Sequence, residues 1–154
     1  MPREFDKLTD AEQQLMLDAI PLITILVGGA DGDMDDNEIE WAQKLTEVRS
    51  YDFNSKLKDY FQAVGAQFDS KLGTYNDSLP KETAARMAAV SELLAGLNPI
   101  LKKIDSFDAD VYYKNFLSFA EHVAKASGGI LRFMSIGKEE KEVIGLPMLE
   151  DFKI

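Results

Sequence analysis

The chain has 154 residues, of which 45% are apolar and only five are proline, so it is long enough to form one domain around a sizeable core. It contains no cysteine, which excludes disulfides and thiolate metal sites and is typical of a reducing compartment. Its net charge of −10 opposes binding to nucleic acid or to an anionic lipid surface.

The acidic charge is concentrated near the start of the chain. No Lys or Arg lies between Lys7 and Lys44, a stretch that holds nine Asp and Glu residues. The remaining 18 of the 27 acids face 17 bases, so the rest of the chain is nearly neutral. This distribution favours a cation or a basic protein surface as the binding partner.

The N-terminus has no feature of a targeting segment. Residues 1–7 mix acids with bases instead of placing bases before an apolar run. The longest apolar run, residues 19–30, is interrupted by Pro21 and is shorter than the roughly 20 residues that cross a bilayer. We therefore expect a soluble, cytoplasmic protein that forms a single domain over residues 1–154.

The first predicted helix begins at Asp10. Thr9 and Glu12 have the spacing of a capping box, in which each side chain accepts from the backbone N–H of the other residue. The second half of this helix is apolar on almost every side, which indicates a central buried helix that is bent at Pro21 and ends at Gly28 and Gly29.

A second helix is predicted from about Asp36 to Arg49. Four apolar residues at helical spacing are expected to face the core: Ile39, Ala42, Leu45 and Val48. Trp41 borders this stripe.

The remaining predicted helices lie in the last two thirds of the chain. The third runs from about Asp52 to Leu72 and ends among Gly73, Asn76 and Asp77. The fourth has Pro80 in its first turn, and Asn98 and Pro99 break or kink it before a brief resumption over residues 100–104. The fifth runs from about Ala109 to Lys125, with Tyr112 and Tyr113 reaching the surface. The last begins near Lys138 and ends at Pro147. No window alternates well enough to predict a strand.

Two helix-loop-helix units are similar to each other. In each, an apolar helix ends at paired glycines and a helix with Glu in its first turn follows, over about 10–49 and about 109–146. This correspondence predicts an all-α, single-domain helical bundle of about six to seven helices with two pseudo-repeated units.

In the first unit, an apolar helix runs into Ala30-Asp31-Gly32, several acids follow, and the next helix opens with Glu38. At these residues the chain resembles the TerB-like tellurite-resistance family of bacteria. The second unit is degenerate, because Ser127-Gly128 stands where the family commonly has Asp-Gly. The resemblance implies a non-enzymatic helical protein of the stress response that binds metal ions through acidic residues and works in larger assemblies.

The acidic loop between the first two helices is the candidate metal site. Asp31, Asp33, Asp35 and Glu38 supply oxygen ligands, and the absence of Cys and His among them points to calcium, magnesium or manganese. Alternating acids imitate the first half of an EF-hand loop. The pattern then departs from an EF-hand, with Asp36 in the place of its glycine and Ala42 in the place of its bidentate glutamate.

Two other interpretations of this loop stay open. Asp35, Asp36 and Glu38 are explained by capping of the second helix and by its dipole, without any ligand. Alternatively, the loop is an acidic surface that binds a basic protein partner without metal. Capping does not explain Asp31 and Asp33, since each close pair of carboxylates costs about 1 kcal/mol even in water.

No motif predicts catalysis. The chain lacks a Gly-rich phosphate loop, a Ser/His/Asp arrangement and an HExxH motif, so we expect a protein that is not an enzyme. His122 is the only histidine, and a lone histidine is usually a packing or surface residue.

Overall fold

The computed structural model describes residues 1–28, 36–50, 55–126 and 145–150, without the side chains of residues 36–38, 50, 55, 56 and 126. Over these ranges the chain is helical and contains no strand, which confirms the predicted all-α class. A short 3-10 helix, Arg3–Lys7, precedes the α-helical segments. These are α1 (Asp10–Gly28), α2 (Asp36–Ser50), α3 (Ser55–Ser78), α4 (Thr83–Ala95), α5 (Leu97–Leu101) and α6 (Ser106–Ala126).

Helix α1 lies at the centre of the bundle. The predicted capping box starts it: the Thr9 N–H donates to Glu12 Oε1 over 2.9 Å, and the Glu12 N–H donates to the Thr9 hydroxyl over 3.1 Å. Every residue from Met16 to Gly28 is buried. Helices α3, α4 and α6 all pack against α1. By length and composition α1 could also cross a membrane, but 72% of its most apolar window is enclosed by the rest of the chain.

Aromatic side chains from the 3-10 helix, α3 and α6 form a buried cluster in the core. The centroids of the Tyr60 and Tyr112 rings are 5.1 Å apart in an edge-to-face arrangement, and Phe5 and Phe116 pack beside them. The buried Tyr60 hydroxyl donates to the Met16 carbonyl over 2.6 Å. Tyr112 is fully buried, so the prediction that it reaches the surface was wrong.

Two other predicted details differ from the structure. Helix α3 continues to Ser78, just beyond the residues among which it is predicted to end, and its predicted start near Asp52 lies outside the described residues. Pro80 lies before α4, whose N-cap is Glu82; the Glu82 carboxylate accepts from the Ala84 and Ala85 N–H groups over 3.1 and 2.8 Å. A side chain that caps two amides fixes the helix start more strongly than the φ preference of a proline.

The segment 145–150 packs back on the bundle. Leu146 and Leu149 are buried, and Leu146 has a φ of 46°, an uncommon backbone conformation for leucine. Asn98 holds the segment, because its amide donates to the Met148 carbonyl and accepts from the Glu150 N–H, over 3.0 and 2.8 Å. The last predicted helix, and with it the pseudo-repeat and the total number of helices, falls on residues 127–144, which lie outside the described residues.

Candidate functional site

The predicted metal ligands fall at the junction of α1 and α2. Asp31, Asp33 and Asp35 lie outside the described residues, and Glu38 lies in the first turn of α2, where the side chain is not described. The described part of α1 reaches Gly28, and the described part of α2 starts at Asp36, so the two helices flank the loop on either side. Within the described ranges, no three acidic or histidine side chains come together as a metal site.

Two of the acids between Lys7 and Lys44 have basic partners from other parts of the chain. Glu12 pairs with Lys103 over 2.6 Å, and the Asp18 carboxylate lies 3.9 Å from the Lys71 ammonium. The hydrogen bond from Lys103, aided by the Thr9 N–H, lowers the pKa of Glu12 below its ordinary value. Both acids lie in the first half of α1, so these bases neutralise charge at some distance in sequence from the acidic loop.

Asp18 is a buried carboxylate on α1 that the sequence analysis did not single out. It is 4% exposed and accepts hydrogen bonds from the Gln14 amide and the Tyr75 hydroxyl, each over 2.7 Å. Burial, followed by the hydrogen bond to Asp18, raises the pKa of Tyr75 well above its ordinary value. These contacts join α1 to α3 and satisfy the carboxylate, so Asp18 is a structural group.

The outward face of α2 is partly apolar. Trp41 and Val48 are 44% and 64% exposed, and they lie two turns apart on one side of the helix, with the half-buried Leu45 between them. We call these three residues the outer stripe of α2. The prediction that Val48 faces the core was wrong, whereas Ala42 is buried and Ile39 and Leu45 pack against the core as predicted.

Arg49 takes the place that an apolar residue would have on the inward side of α2. Its guanidinium donates to Asn115 Oδ1 over 2.5 Å and to the Ser118 hydroxyl over 3.1 Å, both on α6. It also lies 5.5 and 5.6 Å from the centroids of the Phe61 and Phe119 rings. These cation–π and hydrogen-bond contacts attach the end of α2 to the core. The sequence contains a signal for this position, because Arg49 follows the buried Ala42 by seven residues, or about two helical turns, and so lies on the same side of α2.

One buried polar group beside this contact is unsatisfied. Asn115 is 5% exposed, and its Nδ2 has no hydrogen-bond partner in the described part of the chain. An unpaired buried amide N–H costs about 1–3 kcal/mol. The attachment of α2 to α6 is therefore less complete than that of α1 to α3.

A groove runs between α2 and α3, and we call it the α2–α3 groove. Its larger part has a volume of about 450 Å³ and its smaller part about 250 Å³, and Gln43 and Asp69 border both. The Gln43 amide donates to Asp69 Oδ1 across the groove over 2.5 Å. The residues that line the larger part are Gln43, Thr46, Glu47, Phe61, Gln62, Gly65, Phe68 and Asp69. The smaller part adds Ile39, Leu72, Gly73 and Asn76.

His122 is exposed on α6 and bonds to its own helix. Its Nδ1 lies 2.7 Å from the Ser118 carbonyl oxygen, which can only accept, so Nδ1 carries the proton. Such a side chain to backbone contact is typical of a surface histidine.

The chain matches no protein-family model, no curated protein and no solved structure.

Proposed function

We propose that this chain is a non-enzymatic, cytoplasmic TerB-like module of the stress response that binds a divalent cation at the α1–α2 junction. Asp31, Asp33, Asp35 and Glu38 would bind calcium, magnesium or manganese, the ions that prefer carboxylate oxygens. The observation that carries the proposal is the stretch of nine acids without a base, which continues through the loop between these two helices.

The surroundings of the loop support this role. Its first end is attached to the buried end of α1, where Leu26 and Val27 are fully enclosed, and its second end is the start of α2 at Asp36. The acids between these two helices therefore lie close together in the sequence. Each close pair then costs about 1 kcal/mol, and a bound cation offsets that cost.

Calorimetric titration of the metal-free protein with calcium, magnesium and manganese tests the proposal. We expect saturable binding of at least one ion, a rise in melting temperature, and the loss of both effects in Asp31→Asn/Asp35→Asn. The matched control Asp6→Asn/Glu92→Gln removes two exposed acids elsewhere and should bind like the wild type. An unchanged melting temperature at millimolar concentrations of all three ions would refute the proposal.

A second candidate function is a metal-independent adaptor that binds a basic protein partner. The exposed outer stripe of α2 favours it, since Trp41 and Val48 lie on the same helix as the exposed acids Glu40 and Glu47. Apolar residues surrounded by charge are typical of protein interfaces, and tryptophan is enriched at their centres.

The two functions can be separated by adding a chelator. An adaptor should retain its partner in EDTA, release it at high salt, and lose it when Asp33 and Asp36 are changed to lysine. Partner binding that is insensitive to both salt and these substitutions would exclude the acidic surface as the contact.

A further inference from the structure

We propose that α5 carries a docking site for a short segment of a partner protein, of the form Leu-Pro-x-Leu-Glu, which the chain's own residues 146–150 imitate. The site goes beyond the proposed cation function and lies apart from the acidic loop, on α5 and its C-cap Lys102. In the structure the chain's own segment fills this site, so the chemistry of the occupant can be taken from the contacts that hold it.

Asn98 on α5 binds the backbone of the segment. Its amide nitrogen donates to the Met148 carbonyl over 3.0 Å, and its Oδ1 accepts from the Glu150 N–H over 2.8 Å. A side-chain amide that bonds at once to a carbonyl and an N–H of one segment offers it the same donor and acceptor as a neighbouring strand. Because the contact involves only main-chain atoms of the segment, a segment of another protein can make it as well.

The side chains of the segment give the site its specificity. Leu146 and Leu149 are 0% and 5% exposed, and Glu150 forms an ion pair with Lys102 over 2.8 Å. Lys102 follows Asn98 by four residues, so the two side chains lie about one turn apart on the same side. A ligand therefore needs two apolar residues three positions apart and an acid directly after the second.

The segment also holds its own shape. The Leu149 N–H donates to the Leu146 carbonyl over 2.9 Å, which closes a four-residue turn with Pro147 in its second position. Proline favours this position because its φ is already fixed. A separate peptide of this sequence would thus lose little conformational entropy when it adopts the shape that docks.

Two features limit how firmly the chain's own segment is held. Leu146 has a φ of 46°, a backbone conformation that costs free energy in a residue other than glycine. The Lys102–Glu150 pair is open to solvent, with 62% of each side chain exposed, and exposed pairs contribute little to stability. Both features reduce the advantage of the chain's own segment over a competing one, so a partner segment can displace it.

A peptide supplied in trans tests the site. The probe is the acetylated, amidated peptide of residues 144–150, Ile-Gly-Leu-Pro-Met-Leu-Glu, and its control has Ser at both leucines. The receptor is the full chain with Leu146→Ser/Leu149→Ser, labelled with ¹⁵N and kept in EDTA. We expect the probe to raise the melting temperature of the receptor and to shift the amides of residues 97–103, and the control peptide to do neither. Adding Asn98→Ala to the receptor should weaken binding about tenfold.

The wild-type chain then measures displacement. Its own segment competes for the site, so the probe should bind about tenfold to a hundredfold more weakly than to the receptor variant, in proportion to the fraction of open sites. The Glu150 amide should shift as the segment leaves.

A charge reversal tests specificity without removing either leucine. Lys102→Glu in the otherwise wild-type chain should favour a probe that ends in Lys over one that ends in Glu, by about threefold. This variant keeps both apolar residues of the segment, so it tests the site even if the serine variant does not fold. Equal affinities for the two probes would show that Lys102 takes no part in the site.

Three outcomes would overturn the proposal. These are no binding of the probe to any of these chains at millimolar concentration, binding to the serine variant without displacement in the wild type, or a wild-type dimer that the probe dissociates. The second outcome would make residues 145–150 a permanent part of the fold, and the third would assign the site to a second copy of this chain. The cation proposal is unaffected by any of them, because every sample contains EDTA.

Discussion

Helices α1 and α2 are neighbours in sequence, on the two sides of the acidic loop, but they have opposite surroundings. Helix α1 has 19 residues and is buried from Met16 to its end. Helix α2 has 15 residues, exposes Trp41 and Val48, and buries Ala42 and Thr46 among its described side chains. One helix is therefore enclosed by the bundle, and the other lies on its outside.

The buried polar group on α1 is also more completely hydrogen-bonded than the one that α2 contacts. On α1, the buried Asp18 has two hydrogen-bond donors at 2.7 Å. On α2, Arg49 bonds to Asn115, whose buried Nδ2 has no partner among the described residues. Helix α1 should therefore contribute more to the stability of the domain than α2, which exposes more of its side chains. The predictions below test this division, beginning with the largest effect.

Truncating one branched residue on each helix should give very different losses of stability. Ile23→Ala removes a fully buried side chain from α1 and should lower the free energy of unfolding by about 3 kcal/mol. Val48→Ala removes a side chain that is 64% exposed and should change it by less than about 0.5 kcal/mol. Urea denaturation monitored by circular dichroism measures both. Equal losses would show that α2 is as much a part of the core as α1.

Removing the buried carboxylate of α1 should have the next largest effect. Asp18→Ala leaves the Tyr75 hydroxyl and the Gln14 amide without their acceptor, which should cost about 2 kcal/mol. Asp10→Ala, at an exposed position in the first turn of the same helix, is the control and should cost less than about 1 kcal/mol. If Asp18→Ala were neutral, the carboxylate would be retained for a role other than stability.

On α2, the corresponding substitution is Arg49→Lys. Lysine keeps the charge but loses the planar guanidinium that bonds to both Asn115 and Ser118 and lies over two rings. We expect a loss of about 1 kcal/mol, smaller than for Asp18→Ala, because the contact already contains an unsatisfied amide. A loss larger than that of Asp18→Ala would reverse the proposed ranking of the two attachments.

Alkaline pH should act on the α1 side of the molecule. The pKa values of Tyr60, Tyr75 and Tyr112 are raised in the folded chain, each first by burial. Above pH 10, the ordinary pKa of tyrosine, the unfolded chain loses these protons while the folded chain retains them. The stability associated with the protonated phenols is thus fully present below pH 10 and falls as pH rises further.

Tyr75→Phe isolates one of these groups. At neutral pH it should cost about 1 kcal/mol through the lost bond to Asp18, and above pH 10 its stability should fall less steeply than that of the wild type. The denaturation midpoints of the variant and the wild type are compared between pH 8 and about 11.5, a range that includes the ordinary pKa of tyrosine. Parallel curves for the two proteins would mean that Tyr75 has an ordinary pKa in the folded chain.

Local sequence signals predicted where the helices lie better than they predicted which faces of the helices are covered by others. The capping box at Thr9 and Glu12, and the glycines after Val27, placed the ends of α1 because these effects act within one turn. Val48 was wrongly predicted to face the core. The helical spacing of apolar residues shows which of them share a face, but it does not show whether another helix covers that face. The start of α4 was misplaced because Glu82 caps it from two residues beyond Pro80.

Contacts between distant residues explain the remaining differences. The Tyr112 ring packs against Phe5 and Tyr60, and its hydroxyl donates to Glu4 Oε1 over 2.7 Å, a partner 108 residues earlier in the chain. Asp18 and Arg49 likewise have their main partners on α3 and α6. No periodicity encodes such pairings. The predicted cation ligands concern a loop that lies outside the described residues, and so they stay a prediction.

A gain in stability is expected on the face that α3 presents to α2. Gly73→Ala replaces glycine inside a helix, and no described atom lies within 4 Å of the added Cβ, so the free energy of unfolding should rise by about 0.5–1 kcal/mol. Gly96→Ala is the contrasting variant, because its Cβ would lie 3.1 Å from Leu15 Cδ2 and from the Leu93 carbonyl oxygen, which should reduce or reverse the gain. A loss of stability in Gly73→Ala would instead show that glycine is needed at this position for folding.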